Sequence, residues 1–255
     1  MESNKHLNIY RLYYLLRREM KMNLKSYLIA LAAMGGILLA LLITDSYSRS
    51  SINYEPFVST FYLFFFLGGF IFTSRIFNEL HQPEKSYQYL TLPASTLEKL
   101  ISQWLFSAIL YVVISYIVVQ IIAFIGGIVS STLFQFDFHW LNLTQFEFPK
   151  IAAIYIVIHS IFFLGACYFK NYNFIKTLLS VFILGATVFV ISIAAAYLLF
   201  GQSGFSESTL WMQTNSELPH FITVELPTVI ETIFWYGLAP FFLIVSYFKL
   251  KERQV

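Results

Sequence analysis

Six stretches of this chain are long enough, and apolar enough, to cross a lipid bilayer, at residues 26–44, 57–74, 101–129, 151–169, 177–200 and 229–248. Five carry no charge at all and the sixth carries only Glu231. A helix of about 20 apolar residues matches the hydrocarbon core of a membrane, about 30 Å thick. Within that core every backbone N–H and C=O must be satisfied inside the segment, so runs of this kind predict helices. The chain therefore reads as an all-α integral membrane protein of six spans, folded as a single domain over residues 1–255.

Composition agrees. Only 12% of residues are charged and 58% are hydrophobic, where a soluble domain carries roughly 25% charged residues to face water. Mean hydropathy is +0.67. The net charge of +2 gives no reason to expect a nucleic acid partner. A single cysteine, Cys167, rules out an internal disulfide and a cysteine metal site. The N-terminal stretch lacks the short apolar core and small-residue cleavage site of a signal peptide, so the spans themselves are expected to direct insertion.

The positive charges supply a direction. With six spans, 14 of the 16 Lys and Arg residues fall at one end, leaving Arg49 and Lys150 at the other. The positive-inside rule then places both termini, with the 75–99 and 170–176 connections, in the cytoplasm.

Residues 6–25 predict an amphipathic helix ahead of the first span. Ile9, Leu12, Tyr13, Leu16, Met20 and Leu24 share one face, while Arg11, Arg17, Arg18, Lys21 and Lys25 gather on the other. That segregation suits a helix in the membrane interface with its basic face towards anionic headgroups. A basic stretch that merely orients the first span is the plainer alternative.

The most polar segment joins spans two and three. Pro93 ends what precedes it, and Ser95 followed by Glu98 fits a capping box that starts a new helix. Running on into the third span, from 96 to about 129, that helix would be roughly 50 Å long. It would then outreach the bilayer and present Glu98 and Lys99 in the cytoplasm. The preceding FNELHQPEKSYQYL offers polar and aromatic residues suited to docking on a protein, with Tyr87, Tyr89 and Leu90 as anchors. A solvated connector is the alternative.

These features together resemble the permease subunit of type-2 ATP-binding-cassette exporters. The string LTLPASTLEKLISQWL also resembles a Leu-Pro-Ala-Ser-x-x-Glu-Lys pattern of small bacterial permease-like proteins. The resemblance implies an elbow helix at 6–25 and a coupling loop at 75–99 that docks a separate ATPase. It implies a second permease subunit, identical or related, and a bacterial cytoplasmic membrane. It also implies re-entrant pieces within 201–231. No glycine here is followed by Lys, so the phosphate-cradling loop of an ATPase is missing. ATP and Mg would belong to the partner, and this chain is not expected to be an enzyme. A non-transporting membrane anchor or assembly subunit is the alternative function.

Other chemistry is thinner. Gly201-Gln-Ser-Gly204 matches the G-x-S-G of intramembrane serine proteases, but no histidine follows in the sixth span and His220 lies before it. His159, near the middle of span four, and Glu231, at the outer end of span six, are candidate pathway residues. Each also has a plain reading, as a hydrogen bond between helices and as a group reaching the interface. Paired glycines at 35–36, 68–69 and 126–127 predict close helix approach. Asn142-Leu-Thr144 matches a glycosylation acceptor, without meaning in a bacterial protein.

Overall fold

The computed structural model describes residues 8–200 and 225–253, except for the side chains at 23, 26, 83, 88–90, 196 and 199–200. Among the described residues there are eight helices and no strand. They are α1 (Ile9–Arg49), α2 (Glu55–Arg75), α3 (Asn78–His81), α4 (Pro83–Leu90), α5 (Thr96–Phe134), α6 (Phe148–Tyr168), α7 (Asn173–Phe200) and α8 (Leu226–Glu252). Six of these contain stretches long and apolar enough to span a membrane. All six lie where the sequence predicts spans, and the protein has the architecture of a multi-pass helical membrane protein.

Because successive spans alternate in direction, the start of α1, the end of α2 and the start of α5 share one end of the bundle. The end of α6, the start of α7 and the end of α8 join them. Hydrogen bonds verify the grouping: Asn173 Nδ2 donates to the Ser74 carbonyl at 3.1 Å, and Arg253 Nη1 meets His81 Nδ1 at 2.8 Å. At the opposite end, Tyr54 donates to the His139 carbonyl at 2.9 Å and Tyr62 to the Phe146 carbonyl at 2.6 Å.

The core is aromatic. Phe162 stacks on Phe70 with centroids 4.3 Å apart, Phe70 on Tyr155 at 5.7 Å, and Tyr155 packs against Phe65 at 4.8 Å. Lipid tails are as apolar as Leu, so helices in a bilayer associate through close packing and interhelical hydrogen bonds rather than through escape from water. Both are present. A Cβ on Gly69 would stand 2.5 Å from the Tyr155 ring and 2.8 Å from Tyr111, so only glycine lets those rings cross α2 here. Gly126 gives the same room to Leu42 of α1.

The long helix predicted from Ser95 is present as α5, 39 residues and about 58 Å at 1.5 Å per residue. Its capping box forms as expected: the Ser95 hydroxyl accepts from Glu98 N, and Glu98 Oε2 accepts from Ser95 N at 2.8 Å. One feature was not foreseen. Residues Leu105–Leu110 form a π-helical bulge inside α5, a local widening often found at functional positions.

The N-terminal region departs from expectation. Among the described residues no separate helix precedes the first span; residues 9–49 are one helix, capped by Asn8, whose Oδ1 accepts from Tyr10 N. Its basic face is not used as the helical wheel suggests. Leu15 and Glu19 are buried, while Ile9, Tyr13, Met20 and Leu24 of the apolar face are exposed. Arg11 and Arg18, expected to face headgroups, turn instead towards carboxylates of the 75–99 segment. A helical wheel ranks residues by polarity alone and takes no account of acids folded in from elsewhere.

Beyond residue 177, α7 stands clear of the bundle, every described side chain from Leu178 to Ala195 being exposed. The first half of α8 is also largely exposed, with Phe234, Trp235 and Leu238 half-buried, and full burial begins only at Ser246 and Leu250.

Candidate functional site: the charged end of the bundle

The span 2–3 segment folds as α3, α4 and a turn leading to the Ser95 cap. Two sets of ionic contacts hold it against the first half of α1. In the first, Glu98 is fully buried and receives Asn8 N at 2.7 Å on Oε1, with Arg11 Nε 3.3 Å from the same oxygen. In the second, Arg18 spans Glu19 at 3.0 Å and Glu79 of α3 at 2.8 Å. Glu19 is itself buried. Burial pushes its carboxyl above the ordinary range; Arg18 draws it back and Glu79 pushes it up again.

A third contact ties the chain's far end to this region. His81 Nε2 lies 2.8 Å from the Ala166 carbonyl, which can only accept, so that nitrogen carries the proton. Nδ1 then accepts from Arg253 Nη1. The imidazole is thus held neutral. Burial lowers its pKa, as do Arg253 and Lys170 nearby, against the raising effect of the Ala166 carbonyl. Beneath these contacts Phe77, Leu80, Leu100, Phe163, Ala166, Cys167 and Leu250 form a small apolar core that joins α3, α5, α6 and α8.

The expected docking residues separate into two kinds. Tyr87 is 74% exposed on α4. The side chains of Tyr89 and Leu90 lie outside those described. Glu98 and Lys99, expected on the surface, are both buried because α1 lies over the start of α5. Their place is inside the joint between the segment and the bundle. Of the four basic residues assigned to the interface, Arg17 and Lys21 remain exposed, while Arg11 and Arg18 are engaged.

The candidate pathway residues part company. His159 is fully buried, with Nε2 2.8 Å from Ser107 Oγ in the π-bulge. Tyr155 OH donates to the Ser107 carbonyl at 3.1 Å, and Ser107 Oγ donates to the Gln103 carbonyl at 2.8 Å. His159 Nδ1 has no hydrogen-bond partner. Glu231 is exposed on the first half of α8. The Gly201–Gly204 motif, His220 and residues 201–224 of the re-entrant stretch expected within 201–231 lie outside the described residues, and 226–231 form the start of α8. Among the described residues no group of three His, Cys, Asp or Glu could hold a metal.

Sequence reasoning missed Glu19, Glu79, His81 and Arg253. Glu19 had a signal, as the lone acid of the basic 6–25 stretch. His81 and Arg253 had none, being 172 positions apart. Compared with known proteins, the chain matches no family model, no curated protein and no solved structure.

Proposed function

We propose that this chain is the membrane-spanning permease subunit of an ATP-driven exporter in a bacterial cytoplasmic membrane, with both termini in the cytoplasm. The observation that supports this reading is the span 2–3 segment. It carries an exposed aromatic on α4 and leads through a capped turn into a helix that continues as a full span. A partner that moved α4 would pull on α5 directly, because α5 is one helix from Thr96 to Phe134. The partner in this reading is a separate ATPase, which holds ATP and Mg and performs the hydrolysis.

A second permease subunit completes the pathway. The first half of α8 suits that contact better than α7, since it carries Glu231, a charge that is costly to leave in lipid. Glu231 would then line a wet route between two subunits. The alternative, a non-transporting anchor or assembly subunit, is favoured by the ionic strap from α1. Two ion-pair sets fix the segment to the bundle and would hold a docking surface still.

The test is co-purification of an ATP-binding-cassette ATPase with the tagged chain, and ATP hydrolysis in reconstituted membranes. Tyr87→Ala should weaken both while the protein remains folded in the membrane. If no such ATPase binds, or the substitution changes neither readout, the permease reading fails. Binding with no ATP-dependent export of any cargo would favour the anchor.

A further inference from the structure

At the charged end, a pocket of ≈ 360 Å³ opens between the end of α2 and the start of α7. Ile71, Ser74 and Arg75 line it from α2, and residues 170–175 line it from the α6–α7 turn and the start of α7. Two cations, Arg75 and Lys170, face it, and no carboxylate does. Neither cation has a carboxylate partner among the described residues, whereas Arg11 and Arg18 at the same end both do. The floor is fixed: Asn173 is buried, and its Nδ2 donates to the Ser74 carbonyl, pinning α7 to α2.

What lies beside the pocket indicates its occupant. Ile175, Leu179 and Phe182 follow one another at helical spacing down a single face of α7, at 59%, 54% and 71% exposure. This apolar face begins at the pocket rim, beside Lys176, and continues along residues 177–200, which carry no charge. A basic pocket at the end of membrane helices, continuous with a bare apolar face, has the polarity of one phospholipid molecule seen in negative.

We propose that this pocket binds the headgroup of an anionic phospholipid. Its phosphate would sit between Arg75 and Lys170, and its acyl chains would lie along Ile175, Leu179 and Phe182. The site requires only that the protein sits in a membrane, and does not depend on the transport reading. Bound lipid would bridge α2 and α7, the two helices that the Asn173–Ser74 hydrogen bond already joins.

The experiment is native mass spectrometry of the full chain released from detergent, titrated with phosphatidylglycerol or phosphatidylcholine. Arg75→Gln and Lys170→Gln should each weaken phosphatidylglycerol retention about fivefold, and together about 25-fold. Binding of zwitterionic phosphatidylcholine should change little. Both positions are exposed, so the fold should tolerate the changes, and each single variant stands as a test if the double variant does not express. Lys251→Gln, at the same end but outside the pocket, should leave retention unchanged. Equal losses from Lys251→Gln would indicate a diffuse basic belt and overturn the site. Displacement of the lipid by millimolar inorganic phosphate would reassign the pocket to a free anion and overturn it equally.

Discussion

Arg11 lies 3.3 Å from Glu98, joining the first turn of the first helix to the first turn of the third span. Glu98 is entirely buried, while the Arg11 side chain remains 35% exposed. The same carboxylate receives two backbone N–H groups, from Asn8 and Ser95, on its two oxygens. One side chain thus caps its own helix and anchors the start of another. This makes the beginning of α5 a joint, with the 75–99 segment on one side and the spans on the other.

Glu98→Ala leaves the backbone N–H groups of Asn8 and Ser95 without their acceptor, and each stranded donor costs about 1–3 kcal/mol. The substitution should therefore destabilise the protein by about 2–6 kcal/mol. Arg11→Gln, at a partly exposed and screened position, should cost no more than about 1 kcal/mol. Thermal unfolding in detergent measures both. Equal, small effects would mean that Glu98 is not the anchor described.

The coupling role divides the same segment differently. Ser95→Ala removes the N-cap at a cost of about 1 kcal/mol but leaves the exposed surface of α4 untouched. In the proposed exporter it should leave ATPase binding nearly intact and reduce cargo moved per ATP. Tyr87→Ala should do the reverse, weakening binding first. If the two variants behave alike, the segment does not divide into a docking part and a transmitting part.

Glycine positions offer a sharper test of the packing. Gly69→Ala would drive a methyl group into the Tyr155 and Tyr111 rings, and overpacking of this kind costs about 1–3 kcal/mol. Gly36→Ala meets nothing within 4 Å and should stabilise α1 by up to about 1 kcal/mol through helix propensity. Opposite shifts in the unfolding midpoint are expected. A harmless Gly69→Ala would contradict the close crossing of α2 and α6.

The His81–Arg253 contact should make stability depend on pH. A neutral His81 accepts from Arg253, whereas a protonated ring would turn a second N–H towards the guanidinium. Its pKa is lowered from the ordinary 6.5, chiefly by burial, so below about 6.5 the unfolded chain takes up the proton first. The stability is therefore complete above that pH and is lost as pH falls towards the lowered folded value. His81→Gln should flatten the fall in unfolding midpoint between neutral and mildly acidic pH. Glu19 titrates alike in both proteins, so the difference isolates His81. An unchanged slope would show that the ring does not titrate there.

Inside the bundle, a double-mutant cycle on His159→Leu and Ser107→Ala should give a coupling of about 0.6 kcal/mol, the average for hydrogen bonds between membrane helices. Additive effects would mean that the 2.8 Å contact contributes nothing to stability. Export activity in the proposed transporter then decides whether His159 does more than join α6 to the π-bulge.

The six spans and the Ser95–Glu98 cap were legible in the sequence because each depends on residues close together in the chain. Hydropathy over about 20 residues identifies a span, and a cap needs only positions i and i+3. The glycine pairs at 68–69 and 126–127 also announced close crossings, though not which side chains would fill them, whereas Gly36 meets nothing within 4 Å. The tertiary structure alone decided which face of α1 is buried, and that Glu98 and Lys99 lie within a joint rather than on a surface. It alone set Arg75 and Lys170 around one pocket with no acid between them. Such arrangements depend on groups brought together from distant parts of the chain, 90 positions apart for Asn8 and Glu98 and 172 for His81 and Arg253. A charge in a sequence has a sign but no partner. Whether it ends up paired and buried, or left open to a ligand, is settled only when the helices pack.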